Sequence, residues 1–332
     1  MTTPDTPAPT HEGARSWRAG WAVDLPGTLA PLRRGGGDPS STVPAPGQLV
    51  LAANTPAGPG TLHVGVSRDG RTVEARAWGP AGAVRWLLDG VPELLGSLDR
   101  PEDLRPRHAV LQRAHARLSP GLRVVRTRRV WDALLPAVVE QKVTGQEAFA
   151  GYRALVRATG SPAPGPAGER GLLVPPDAAT VARVPSWVFL RCGIDAGRSD
   201  TLVRAARVGD RWEQLVAATA SMGRAELDRA HALLRTVPGI GPWTAAEVAH
   251  RALGDPDAVS WRDYHVAAHV TRALTGTAGD DVDLARVLAP YAGQRYRVQM
   301  LLGASRETRP ERHGPRLAPR THLPVAGRGH TP

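Results

Sequence analysis

Apolar and polar positions divide the chain into two textures. Between Trp17 and Trp78 the pattern is short and strand-like. GQLVLAAN, TLHVGVS and TVEARAWG read as strands, separated by Gly, Pro and Asp turns. From about Ala81 the apolar residues recur at three- and four-residue steps. AVRWLLDGVPELL, RHAVLQRAHARL, RVWDALLPAVVEQKV and GQEAFAGYRALVRATG all read as helices. The Gly-rich piece from Gly35 to Gly47 and SPAPGPAGERG from Ser161 read as loops. Helices resume after Pro176 and run to about Leu302. The pattern predicts an α+β chain without internal repeats. Residues 1–14 are Thr/Pro-rich and expected to be disordered, and 15–99 form a small β-rich domain. Residues 100–302 form an all-helical domain, and 303–332 a basic Pro/Arg-rich tail.

Composition narrows the partners. With 332 residues and 42% hydrophobic content the chain can bury a real core. A net charge of +11 favours a polyanion, most simply nucleic acid. Nearly all of the basic charge is Arg, and Lys142 is the sole lysine. An Arg bias also accompanies a GC-rich genome, so charge alone does not decide. Cys192 is the single cysteine, which excludes an intrachain disulfide, a Cys-rich zinc site and a four-Cys iron–sulfur cluster. The start MTTPDTPAPT lacks a secretory pattern, and no apolar stretch is long enough to span a membrane. The expectation is a soluble, cytoplasmic monomer.

The most informative segment is DRAHALLRTVPGIGPWTAAEVAHRALGD, from Asp228. A helix runs to about Thr236, followed by V-P-G-I-G-P and a second helix from Pro242. Gly239 and Gly241 are expected to adopt backbone conformations closed to other residues, and Pro242 suits the first helical position. A tight turn of this kind aims backbone N–H groups outward from a helix N-terminus, which binds phosphate without reading a base.

L-x-x-V-P-G-I-G-P-W-T-A-A resembles the hairpin of the helix-hairpin-helix DNA glycosylases. DPDAVSWRDYHVAAHV, which follows, is similar to the family's stretch bearing its catalytic Asp, and VWDALLPAVVEQKVTGQEA to the helix and turn that enter the minor groove. The resemblance covers roughly residues 100–302 and is nearest to the AlkA-type 3-methyladenine branch, which also carries a β-rich N-terminal domain. It implies a helix-hairpin-helix fold for the helical domain, double-stranded DNA with damaged bases as partner, and no cofactor.

The resemblance also implies the site. Asp263, twenty residues after Trp243, falls on the catalytic carboxylate. Asp255, Asp257, Asp280 and Asp281 are nearby alternatives; the other reading of Asp263 is a cap of the helix DYHVAAHVTRAL, which need not exclude catalysis. Gly239, Ile240, Gly241 and Thr244 of the hairpin, with Gln141 and Lys142 upstream, are the expected DNA contacts. Trp243 falls where the branch has an aromatic facing the base pocket, with packing inside the hairpin as its other reading. Tyr264 and Glu247 are further pocket candidates, although an aromatic would be expected at 247. Bifunctional relatives carry a Lys where this chain has Trp243, so the chain is expected to be monofunctional. His265 and His269 share a helix face, but no third metal ligand is apparent and no metal is expected. A non-catalytic hairpin DNA-binding protein is the alternative function.

Overall fold

The computed structural model describes residues 10–308. Five antiparallel strands form the N-terminal sheet in the order β1-β5-β4-β3-β2. They are β1 (His11–Arg18), β2 (Ser41–Thr42), β3 (Gln48–Thr55), β4 (Gly58–Val66) and β5 (Thr72–Gly79). The three segments marked by the strand-like pattern become β3, β4 and β5. Their register sets Leu51 opposite Leu62 and Leu62 opposite Ala77. That face is covered by the helix Ala81–Asp89, whose Val84, Leu87 and Leu88 join the sheet residues in one core.

β1 corrects the expectation of disorder through residue 14. HEGARSWR gives little to the core beyond the half-buried Trp17, so its hydrophobic pattern is faint. It is held instead by pairing with β5, from His11 opposite Gly79 to Arg18 opposite Thr72. An edge strand of this kind depends on backbone bonds more than on apolar alternation. At the other end, the last helix, Arg295–Ala304, runs just past the expected boundary. The remaining readings of disorder and of a basic tail fall on 1–9 and 309–332, outside the described residues.

The helical region consists of two packed clusters. The first is built around Val130–Val139, in which every residue except Asp132 is buried. Around it lie Gly145–Thr159, Ala196–Ala206, Arg224–Leu234 and Pro242–Val248. The second joins Ala109–Leu118 to Val266–Thr275, Asp281–Leu288 and Arg295–Ala304. The chain therefore visits the second cluster, builds the first, and returns to the second after Ala258. The returning segment carries Asp263. Among the described residues no helix is long and apolar enough to cross a membrane.

Polar side chains tie the parts together. The Asn54 backbone and side-chain amides of β3 donate to Asp132 at 3.1 and 2.9 Å. Asp99, just after the sheet layer, accepts from the Val124 N–H at 2.9 Å and pairs with Arg297 of the last helix. Both side chains of that pair are out of solvent, at 3% and 0% exposure. Removing one partner of a buried pair leaves an uncompensated charge. Asp99→Ala should therefore cost about 3–5 kcal/mol. The change should appear as a lower urea midpoint at unchanged m. An unshifted midpoint would contradict this role for the pair.

Candidate functional site

The hairpin forms as its composition demands. Helix Arg224–Leu234 leads into a turn, and Pro242–Val248 follows with Pro near its start and Gly241 before it. Gly239 has φ +98°, and a Cβ there would collide with the Thr201 hydroxyl. Gly241 corrects the expectation made for both glycines, because its φ of −88° and ψ of −178° are ordinary extended backbone. A Cβ there would meet nothing within 4 Å, so this glycine leaves room in front of the helix rather than permitting a special turn. No side chain caps the helix at Gly241. The first-turn amides of Trp243 and Thr244 are thus free of a side-chain acceptor, as an anion site requires.

Ile240 is not an outward contact. It is 5% exposed, belongs to the first helical core, and spends its N–H on the Val237 carbonyl at 3.0 Å. Its side chain anchors the turn from within. Thr244 is also buried, and its hydroxyl accepts from Gln141 Nε2 at 2.8 Å. Gln141 donates as well to the Gly239 carbonyl at 3.0 Å. The turn after Val130–Val139 is thereby stapled to the hairpin. Lys142, next in the chain, is exposed and holds φ +55°, a conformation uncommon for a residue with a side chain. Thr144 then starts the following helix with a capping box.

Asp263 sits beside the hairpin. Its Oδ2 accepts from the indole N–H of Trp243 at 3.0 Å. Its Oδ1 accepts from the His265 and Val266 N–H groups at 2.8 and 3.1 Å. The N-cap of the helix Val266–Thr275 is His265 rather than Asp263, which instead holds the amides leading into that helix with one oxygen and the hairpin with the other. Three donors fix the orientation of a half-buried carboxylate. The preceding residue, Arg262, holds φ +65°.

The other Asp residues are committed elsewhere. Asp255 is fully buried between Arg224, at 2.9 and 3.0 Å, and His231, at 3.0 Å. Burial opposes its charge, but the His231 and Arg224 bonds prevail and hold its pKa at about 2. Asp257 pairs with Arg295, Asp280 caps the helix Asp281–Leu288, and Asp281 accepts from the Arg262 N–H at 3.2 Å.

Glu247 does not line a base pocket. It is buried, with Oε1 accepting from the Ser260 hydroxyl at 2.6 Å and Oε2 paired with Arg251. Burial alone would raise its pKa, but Arg251, then His250 and the Ser260 bond, override it and hold the group at about 2. Burial pushes the neighbouring His250 down to about 4, and its ring stacks on Tyr296 at 4.0 Å. Ser260 and Gln299 were not singled out from sequence. A Glu–Arg pair at i, i+4 was the legible signal that Glu247 is already partnered. Tyr264 is 87% exposed and touches His265 edge-on, so it encloses nothing. A partly open hollow lined by Leu51, Arg129, Asp132, Tyr152 and Arg251 lies in the seam between sheet and helices, and includes neither Trp243 nor Asp263.

Comparison with protein-family models and with curated protein sequences finds no match. Solved structures do resemble the chain. A 3-methyladenine DNA glycosylase from Archaeoglobus fulgidus superposes with a TM-score of 0.69 at 16% identity, covering 87% of this chain and 97% of that one. The 8-oxoguanine glycosylase/lyase of Clostridium acetobutylicum, without DNA, gives 0.63 at 13% identity, covering 88% and 96%. The same enzyme on double-stranded DNA with cytosine opposite 8-oxoguanine gives 0.60 at 13% identity, covering 89% and 96%. The chain has the fold of these DNA glycosylases, and the resemblance read from the hairpin holds at the level of the fold.

The two glycines should separate in mutation. Gly239→Ala meets both a positive φ and the Thr201 side chain, and should destabilise the protein by about 1–3 kcal/mol. Gly241→Val should leave stability within about 0.5 kcal/mol and weaken binding to damaged and undamaged duplexes alike. Thermal unfolding and fluorescence anisotropy measure the two effects. Intact affinity in a folded Gly241→Val protein would remove the hairpin as the DNA anchor.

Proposed function

We propose that the protein is a monofunctional DNA glycosylase that hydrolyses the N-glycosidic bond of alkylated purines in duplex DNA. The observation that carries this reading is the Asp263 carboxylate hung from the hairpin's own helix by Trp243 at 3.0 Å. A segment suited to gripping a phosphate and a carboxylate suited to stabilising positive charge thus belong to one unit. A DNA-binding module without catalysis would gain nothing from an acidic group beside its phosphate site, which disfavours that alternative.

The hairpin amides hold a phosphate beside the lesion, and Lys142 on the stapled turn adds a cation at the same surface. The damaged nucleotide leaves the stack. As the C1′–N bond breaks, its electron pair departs with the base and the sugar acquires oxocarbenium character. Asp263 stabilises that charge and orients a water, whose oxygen bonds to C1′ while its proton passes to the carboxylate. The product is an abasic site. Lys142 is not on the second hairpin helix, so no amine stands where a lyase would attack.

The names of the fold neighbours point to two lesion classes, 3-methyladenine and 8-oxoguanine. Trp243 favours the first. Its bond to Asp263 uses the edge of a half-buried indole, and we assign a π face of that ring to the base. Such a face is worth about 0.5–2 kcal/mol more to a cationic N-alkylpurine than to a neutral base. A cationic base also departs as a neutral one, so a single carboxylate suffices.

Asp263→Asn should keep DNA affinity and slow base release at least about a hundredfold. Near-normal turnover would remove Asp263 from the chemistry. In single-turnover release from matched duplexes, 3-methyladenine and then 7-methylguanine should leave faster than 8-oxoguanine, and Trp243→Ala should narrow that gap. Equal release of 8-oxoguanine by the wild type would refute the substrate class. Borohydride should trap no covalent complex with DNA, and a trapped complex would refute the monofunctional assignment.

A further inference from the structure

We infer that Glu247 is a positioning residue for Asp263, acting through the hydroxyl of Ser260. The inference rests on the catalytic role proposed for Asp263. The second hairpin helix touches the Asp263 loop at two points one turn apart. Trp243 holds the carboxylate itself at 3.0 Å, and Glu247 Oε1 accepts from Ser260 Oγ at 2.6 Å. Ser260 and Asp263 are the two ends of one tight turn, because the Asp263 N–H donates to the Ser260 carbonyl at 3.2 Å. Whatever fixes Ser260 therefore fixes the start of the catalytic residue.

Ser260 is clamped from both helical clusters. Glu247 holds it from the first. Gln299, on the last helix, holds it from the second: Ser260 N–H donates to Gln299 Oε1 at 3.2 Å, and Gln299 Nε2 donates to Ser260 Oγ at 3.1 Å. The loop bridges the two clusters and contains Arg262 at φ +65°. A residue in that conformation persists only where its surroundings over-determine it. The Ser260 clamp and the Trp243 bond supply that constraint on either side of it.

The choice of a carboxylate is explicable. A hydroxyl donating to a charged oxygen makes a shorter, stronger bond than one donating to a neutral amide or carbonyl. Glu247 keeps its charge while buried because Arg251, four residues on, neutralises it. A buried ion pair adds little net stability by itself. Here it supplies a fixed acceptor aimed at the turn that carries the reacting group. Displacing a catalytic group by about 1 Å can cost on the order of a hundredfold in rate, so a tie of this kind acts on turnover rather than on DNA affinity.

The test uses the full chain with Ser260→Ala, Glu247→Gln and Glu247→Ala. One readout needs no DNA: the Trp243 indole N–H resonance, assigned by comparison with Trp243→Phe. The other two are single-turnover release from a 3-methyladenine duplex and affinity for undamaged duplex. Ser260→Ala, which keeps the Glu247–Arg251 pair, should shift the indole resonance and slow release about ten- to a hundredfold at unchanged affinity. Glu247→Ala should do the same or fail to fold. Glu247→Gln keeps an oxygen for Ser260 but loses the charge that strengthens the bond and pairs Arg251, and should fall between the wild type and Ser260→Ala. Ser260→Ala with an unshifted resonance and a normal rate overturns the inference, as does Glu247→Ala that folds and releases base at the wild-type rate. If the wild type releases no base, the glycosylase reading falls, and the indole resonance in DNA-free Ser260→Ala still decides whether the tie holds the loop.

Discussion

The hydrogen bond from the Trp243 indole N–H to Asp263 joins the two halves of the helical region at the point where chemistry is proposed. Trp243 begins a helix of the first cluster. Asp263 precedes a helix of the second and accepts from the His265 and Val266 amides that lead into it. Each cluster has its own core, and the bond sets the carboxylate directly against the hairpin helix. Together with the Ser260 clamp, this bond joins two adjacent packed bodies into one site. Its direction matters too: the indole N–H donates to the carboxylate.

The same economy recurs across the molecule. Apolar cores define each cluster, and buried or half-buried polar pairs define how clusters meet. Asn54 with Asp132 ties the sheet to the central helix, and Arg297 with Asp99 ties the last helix back to the end of the sheet layer. Gln141 braces the upstream turn against the hairpin, and Ser260 is gripped from two sides. Such contacts specify geometry more than they stabilise, because desolvation offsets much of their attraction. Geometry is what the proposed glycosylase chemistry requires, since its carboxylate and phosphate grip must hold a fixed separation.

The hairpin and the central strands were legible because local composition dictates them. Gly-x-Gly-Pro between two helical patterns has few structural solutions, and alternation in β3 to β5 marks one buried face. β1 was hidden because HEGARSWR contributes backbone pairing rather than apolar side chains. Ile240 was misread because its neighbours are turn glycines, and nothing local says that the residue between them points inward. Glu247 was misread for the opposite reason. Its partner Arg251 lies at a helical spacing that sequence displays, but Ser260 comes from a loop thirteen residues on, brought close only by the fold. Thr244 and Gln141, about a hundred residues apart, were both placed at the DNA surface, and sequence could not foresee that they bond to each other.

The central claim is that the Trp243 N–H works through the Asp263 carboxylate. A double-mutant cycle in single-turnover base release measures this coupling directly. Trp243→Phe retains an aromatic ring and removes the donor, so it should slow release about tenfold in the wild-type background. In the Asp263→Asn background, where the carboxylate is already gone, the same change should cost almost nothing. Equal losses in both backgrounds would mean that Trp243 acts independently of Asp263, and would contradict the account.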